Sequence, residues 1–107
     1  MKYGEIAANI RDRLGIAELN AMQLAVGASR SRKIMLIAPT GSGKTVAFAI
    51  ALLRSLHSSD GRVQGVVLAP SRELVLQICE AIRRIAAGLR TVAFYGGHSV
   101  TDEVNSL

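Results

Sequence analysis

The stretch at residues 38–45, APTGSGKT, decides the fold because an apolar run precedes it and a helical pattern follows it. The run at residues 34–38, IMLIA, has no charged residue and is typical of a strand that is buried on both faces. The next stretch, residues 44–57, is apolar almost all round and predicts a buried helix. Glycines between a strand and a helix N-terminus let backbone N–H groups converge on one anion. The sequence therefore predicts a phosphate-binding loop.

The residue types in this loop match the chemistry of a bound phosphate chain. Gly41 and Gly43 permit the tight turn and the close approach of the backbone to the ligand. Lys44 is placed to reach the β- and γ-phosphates, and the Thr45 hydroxyl is placed to ligate the Mg²⁺ that those phosphates hold. The strict pattern begins with glycine, where this chain has Ala38. A dinucleotide-binding fingerprint is excluded, because its third glycine would fall at position 46, a valine.

The rest of the chain alternates strand and helix patterns, which predicts an α/β fold with a parallel sheet and flanking helices. The predicted strands are residues 34–38, 63–69 and 91–95. The predicted helices are residues 3–14, 19–28, 44–57 and 71–87, followed by a last short helix capped by Thr101. Gly15 is expected to end the first helix, and Asn20 is expected to be the N-cap of the second. Doubly wound sheets usually have more strands. We therefore expect part of a larger domain, with an exposed apolar patch.

Length and composition limit the number of domains, the kinds of partner and the location that the chain can have. The 107 residues suffice for one domain at most, and the net charge of +5 is compatible with a polyanionic partner. No apolar stretch approaches the roughly 18 residues that a membrane helix needs, and no secretory leader pattern is present, so a cytoplasmic location is expected. A single cysteine, Cys79, excludes a disulfide within the chain, and its place beside an apolar helical stripe predicts a small buried side chain.

Four motifs occur in a characteristic order: GIAELNAMQ at 15–23, APTGSGKT at 38–45, PSRELVLQ at 70–77 and a glycine pair at 96–97. In this order they resemble the start of a DEAD-box ATP-dependent RNA helicase, over residues 3–107. The resemblance implies that residues 1–107 form the N-terminal part of a RecA-like P-loop NTPase domain, cut before the family's DEAD sequence. It implies an enzyme that couples ATP hydrolysis to RNA duplex unwinding.

The resemblance also implies ligands and site residues. The cofactors are ATP and Mg²⁺, and the partners are the sugar-phosphate backbone of single-stranded RNA and the remainder of the helicase core, with no membrane. Lys44 and Thr45 take the catalytic roles, and Thr45 is the metal ligand through ATP. The nucleotide-binding residues are Gln23, Thr40, Gly41, Ser42, Gly43, Lys44 and Thr45. The RNA-binding residues are Pro70, Ser71, Arg72, Gly96 and Gly97.

Two of these assignments have a physical reason of their own. The carboxamide of Gln23 offers one donor and one acceptor, which match N6 and N7 of adenine but not the edge of guanine. The chain has Leu19 and Asn20 where the family usually has proline and threonine. Ser71 replaces the family's usual threonine but keeps a hydroxyl at the start of a helix, where Arg72 adds a positive charge for a phosphate.

Groups needed for hydrolysis are not identifiable in the sequence. Phosphoryl transfer to water requires an acidic Mg²⁺ ligand and a residue that orients the water, and Asp102 and Glu103 do not follow an apolar strand. We therefore expect the 107 residues to bind nucleotide without turning it over. Two alternatives stay open: a superfamily 2 DNA helicase or translocase, and a binding module that holds nucleotide or RNA without hydrolysis. His57, His98, Arg83 and Arg84 are expected on the surface.

Overall fold

A computed structural model gives the structure of residues 1–57, 61–86 and 88–96. These residues contain four α-helices: α1 (Tyr3–Leu14), α2 (Ala21–Ala28), α3 (Lys44–Leu53) and α4 (Arg72–Ile85). The four helices lie where the sequence predicts them. The further helix predicted at Thr101 lies outside the described residues, as does Gly97.

The ends of α1 and α2 follow from individual residues. Gly15 adopts the left-handed conformation, with φ 70°, and ends α1 as predicted. Asn20 caps α2, because its side chain accepts from the N–H of Gln23 while the Gln23 side chain accepts from the N–H of Asn20. Leu19 was predicted inside this helix but lies before the cap, because Asn20 is extended, with φ −77° and ψ 173°.

Helix α3 ends at Leu53, earlier than the predicted end at residue 57. The N–H groups of Ser55 and Leu56 donate to carbonyls only three residues back, so the α-helical hydrogen-bond pattern ends in a tighter turn. Arg54 is the C-cap residue, and its guanidinium donates to the backbone carbonyls of Gly27 and Ser29. These two carbonyls lie at the end of α2, so Arg54 joins the ends of two neighbouring helices.

In the described residues an apolar core joins α1, α3 and α4. Helix α1 packs against α3 and α4, α2 packs against α3, and α3 contacts α4. The buried core residues are Ile6, Ile10, Val46, Ala49, Ile50, Leu53, Ile78, Ile82, Ile85 and Ala86. Cys79 is buried and unbridged, as predicted. The helix behind the loop is therefore anchored on three sides, and this fixes where its N-terminus stands.

The three predicted strands are not seen: no residue within 1–57, 61–86 and 88–96 is in a strand. Exposure nevertheless alternates in the first of these segments, with Met35 and Ile37 each 88% exposed and Leu36 partly buried between them. In the second segment Leu68 is 91% exposed. Apolar runs predict strands, but a parallel ladder also needs in-register neighbours and cover on both faces. Here the exposed apolar side chains of these segments lack such cover.

Large apolar side chains are exposed in the first two of these segments, most of all Met35, Ile37, Val66 and Leu68. That they form the one contiguous patch expected from the sequence stays a prediction. Among the helices of the described residues, none is long and apolar enough to cross a bilayer.

We expect Ile50→Ala to lower the free energy of unfolding by about 2–5 kcal/mol, because it empties a fully buried site at the centre of the core. Leu76→Ala is the matched control on α4, where the side chain is 42% exposed, and should change stability by less than about 1 kcal/mol. Urea denaturation of the 107-residue chain measures both. Equal losses for the two variants would contradict this description of the core.

Candidate phosphate-binding site

The loop before α3 is a compact turn built around two glycines. Gly41 and Gly43 have φ values of 81° and 89°, in the left-handed region that favours glycine. Pro39 closes the turn, because its carbonyl accepts from the N–H of Ser42 at 3.3 Å and from the Ser42 hydroxyl at 2.6 Å. Thr40 is exposed at the tip. The sequence predicted this loop, and the structure brings its residues together.

Helix α3 begins without a side-chain cap. Its N-cap is Gly43, which has no side chain to offer, and the first helical hydrogen bond runs from the N–H of Ala47 to the carbonyl of Gly43, at 3.2 Å. The N–H groups of Lys44, Thr45 and Val46 therefore have no partner within the helix. Side chains cap α2 and α4, whereas α1, like α3, has no side-chain cap. Uncapped donors at the positive end of a helix dipole suit an anion such as phosphate.

The Lys44 ammonium lies over the loop. Its Nζ donates to the carbonyl of Ala38, the first residue of the loop, at 2.8 Å. This bond holds the charge beside the turn rather than in open solvent. A phosphate oxygen would be a stronger, charge-assisted acceptor than this carbonyl. Exchange of one acceptor for the other would need only a small movement of the lysine side chain.

The first turn of α2 is bonded to the loop. Gln23 is only 3% exposed, and its Nε2 donates to the carbonyl of Gly43 at 3.2 Å while its Oε1 accepts from the N–H of Asn20 at 2.9 Å. Asn20 adds a second link, because its Nδ2 donates to the carbonyl of Ser42 at 2.9 Å. Two consecutive loop carbonyls are thus held from α2. Sequence reasoning placed Gln23 at the site but gave Asn20 only a capping role.

A signal for the role of Asn20 was present in the sequence. The chain has asparagine where the family usually has threonine, and a carboxamide presents its acceptor and its N–H donors on two separate atoms, whereas a hydroxyl has both functions on one oxygen. In the structure the Asn20 Oδ1 accepts from the N–H of Gln23 at 2.9 Å, so the cap uses the oxygen and leaves the nitrogen for Ser42.

A cleft of 530 Å³ runs beneath the loop, and Lys44 and Thr45 are its polar lining residues. The other lining residues are apolar: Leu36, Phe48, Leu52, Val66, Val67, Leu68, Ala69, Leu74 and Ile78. The charged and hydroxyl side chains that line the cleft are therefore those of Lys44 and Thr45, at the start of α3.

The residues predicted to contact RNA form a second group at the start of α4. Ser71 caps the helix, because its Oγ accepts from the N–H of Leu74 at 3.2 Å. The Arg72 guanidinium carbon lies 5.0 Å from the centre of the Tyr95 ring, next to Gly96 in the sequence. No side-chain hydrogen bond of Ser71 or Arg72 reaches the phosphate loop. Pro70 and Gly96 are exposed, and Gly97 lies outside the described residues.

Sequence reasoning missed Tyr95. A signal was available, because Tyr95 ends the third predicted strand and Arg72 follows the second. The carboxyl ends of parallel strands share one edge of a sheet, which would bring the two residues close together.

The titratable residues that the structure describes form no metal centre. Within residues 1–57, 61–86 and 88–96, no three His, Cys, Asp or Glu side chains are grouped closely enough to bind a metal. Arg84 pairs with Glu80 at 3.0 Å on an exposed helix face, and the exposed Arg83 donates to the Thr91 carbonyl, also at 3.0 Å. His57 is exposed as predicted, and His98 lies outside the described residues.

Comparison with known proteins agrees with this geometry. The model of the family described as DEAD/DEAH box helicase matches residues 19–107. The chain is 42% identical over 82 residues to the ATP-dependent rRNA helicase RRP3 of Debaryomyces hansenii, and 42% identical over 74 residues to the ATP-dependent RNA helicase DeaD of Haemophilus influenzae. It is 38% identical over 117 aligned positions to the pre-mRNA-splicing ATP-dependent RNA helicase PRP28 of Meyerozyma guilliermondii.

These matches cover much of this chain and little of the relatives. They include 75%, 66% and 92% of the chain, but the chain spans only 17%, 12% and 20% of RRP3, DeaD and PRP28. No solved structure matches the chain.

We expect Gly43→Ala to damage the loop more than Gly41→Ala. Both substitutions force alanine into a left-handed backbone, at a cost of about 1–2 kcal/mol. A methyl group at Gly43 would also collide with the Gln23 carboxamide, whereas nothing lies within 4 Å of a methyl group at Gly41. Denaturation midpoints measure the difference, and equal losses would show that the contact between Gln23 and Gly43 is absent.

Proposed function

The chain belongs to the DEAD/DEAH box helicase family, and from that premise we propose that it supplies the ATP-binding part of an ATP-dependent RNA helicase. In this proposal residues 1–107 are the N-terminal part of a RecA-like domain. The segments 34–38, 63–69 and 91–95 would pair as parallel strands of its sheet, and further parts of the helicase core would cover their exposed apolar side chains. The uncapped N-terminus of α3 is the observation that carries the proposal.

Each loop residue has a role in holding ATP. The backbone of Thr40, Gly41, Ser42 and Gly43 would wrap the phosphates, and the unpartnered N–H groups of the first turn of α3 would donate to them. Lys44 would exchange the Ala38 carbonyl for a phosphate oxygen. Mg²⁺ bound with ATP supplies charge neutralisation there. The Thr45 hydroxyl, on the first turn of α3, is the group that this chain offers to the metal.

Gln23 would recognise adenine with the part of its carboxamide that the chain leaves unused. One N–H donates to Gly43 and one lone pair accepts from Asn20, so a second N–H and a second lone pair remain. Because the same side chain holds the loop carbonyl, occupation of the adenine site and the shape of the phosphate loop would be linked.

The start of α4 would hold the RNA backbone. Contacts to phosphate and sugar position RNA without reading its sequence, and the exposed Pro70, Ser71 and Arg72 suit that task. Gly96 and Gly97 would allow the backbone to approach closely. Hydrolysis and unwinding would use acidic and water-orienting groups that the remainder of the helicase core contributes.

The reaction is tested by the ATPase rate of the whole protein that carries this chain, with single-stranded RNA or single-stranded DNA of the same sequence. We expect RNA to stimulate hydrolysis and DNA to have little effect. Stimulation by DNA alone would favour a DNA translocase. A rate that neither nucleic acid changes, with nucleotide still bound, would favour a binding module.

Lys44→Ala tests the nucleotide site itself. We expect ATP affinity to fall by about tenfold to a hundredfold, the size of a charge-assisted hydrogen bond, with little change in stability because Lys44 donates only to a loop carbonyl. Titration calorimetry of the 107-residue chain measures the affinity, and Lys33→Ala, at an exposed lysine, is the matched control. If both variants bind ATP like the native chain, the loop is not the phosphate site.

A further inference from the structure

Arg72 and Tyr95 are in direct contact although 23 positions separate them. The guanidinium carbon of Arg72 lies 5.0 Å from the centre of the Tyr95 ring, within the roughly 6 Å over which a cation is attracted to an aromatic face. Arg72 is exposed and Tyr95 is partly buried. The ring is therefore the fixed partner, and the guanidinium rests on it at the surface.

Arg72 stands where helix electrostatics disfavour a cation. It is the first residue of α4, at the positive end of the helix dipole. Other helical arginines in the described residues lie in last turns, where the dipole favours them: Arg11 and Arg13 in α1, and Arg83 and Arg84 in α4. Local rules are most often broken at functional sites. A bound anion would offset the repulsion between the positive charge of Arg72 and the positive end of the helix dipole.

The stack would orient Arg72 without using its donors. A guanidinium placed over a ring keeps its N–H groups in the plane, available for a planar or bidentate contact with phosphate. A long side chain otherwise has several rotamers, and ordering them on binding costs affinity. Tyr95 would remove part of that cost before the ligand arrives. It would also tie α4 to the segment that leads to Gly96.

We propose that Tyr95 is a positioning residue for RNA binding, whose ring holds the Arg72 guanidinium ready for a phosphate of the RNA backbone. The inference rests on the proposed function, in which Arg72 contacts RNA. It predicts that Tyr95 acts through Arg72 and not by stacking on a base. A base-stacking role would give Tyr95 an effect on affinity that does not depend on Arg72.

A double-mutant cycle separates these cases. RNA affinity is measured by fluorescence anisotropy on the whole protein with a single-stranded RNA oligonucleotide. We expect Tyr95→Leu to weaken binding by about two- to fivefold, the size of an exposed cation–π contact. Tyr95→Phe keeps the ring and should bind like the native protein. In an Arg72→Ala background, Tyr95→Leu should have no further effect.

Two controls guard against a general loss of structure. Phe94→Leu removes the neighbouring ring, which is 45% exposed, and should leave RNA affinity unchanged. ATP affinity should be unchanged in every variant, because neither Arg72 nor Tyr95 belongs to the phosphate loop. A Tyr95→Leu variant that fails to fold would lose ATP binding as well. In that case Tyr95→Met replaces Tyr95→Leu in the double-mutant cycle with Arg72→Ala, and Tyr95→Phe is compared as before.

The outcomes distinguish failure of the inference from failure of the proposed function. Arg72→Ala should reduce the dependence of log affinity on log salt by about one unit, as expected for one lost phosphate contact. If Arg72→Ala has no effect on RNA binding, the proposed RNA site is wrong and the inference fails with it. If Arg72→Ala weakens binding but Tyr95→Leu does not, only the positioning role is overturned. Additive losses in the cycle would also overturn it and assign Tyr95 to a base.

Discussion

The uncapped N-terminus of α3 is the constraint on which the rest of the structure depends. Side chains often cap the unpartnered backbone donors at a helix start, as they do in α2 and α4, whereas α1 and α3 have no side-chain cap. Helix α3 dispenses with a cap because burial stabilises it instead: Ile50 and Leu53 are 0% and 1% exposed, and α1, α2 and α4 all pack on it. The helix therefore keeps its donors available at the mouth of the loop, and the bonds from Asn20 and Gln23 keep the loop carbonyls in place.

The first residues of α3 and α4 share an unusual feature, since each helix begins with a cation. Lys44 and Arg72 both stand at the positive end of a helix dipole, and both have a compensating contact, a carbonyl for the lysine and an aromatic ring for the arginine. These are the two places where the sequence predicted an anion. At both candidate ligand sites a cation thus lies at the helix end where the dipole disfavours it. This agrees with the general observation that local stability is often lower at binding sites.

Much of this was predictable from the sequence, and the exceptions have physical reasons. The bounds of α1 and the cap of α2 were predicted because local residues, Gly15 and Asn20, determine them. The sheet was not found in the described residues, because strand pairing depends on neighbours and on cover for both faces, which a local pattern does not contain. The burial of Gln23 and the contact of Tyr95 with Arg72 were also missed, because both depend on tertiary packing. The turn before α3 was predictable because its glycines are a local feature, and they adopt positive φ in the structure, while its binding of phosphate stays a prediction.

The central claim is that the backbone N–H groups at the start of α3 bind the phosphates of ATP. The most direct test is amide NMR of the 107-residue chain, titrated with ATP and Mg²⁺ and, separately, with adenosine. We expect ATP to shift the amide signals of residues 41–46 most strongly and to slow their hydrogen exchange, whereas adenosine, which lacks phosphate, should leave them nearly unchanged. Equal shifts with adenosine, or the largest ATP-dependent shifts elsewhere in the chain, would contradict the claim.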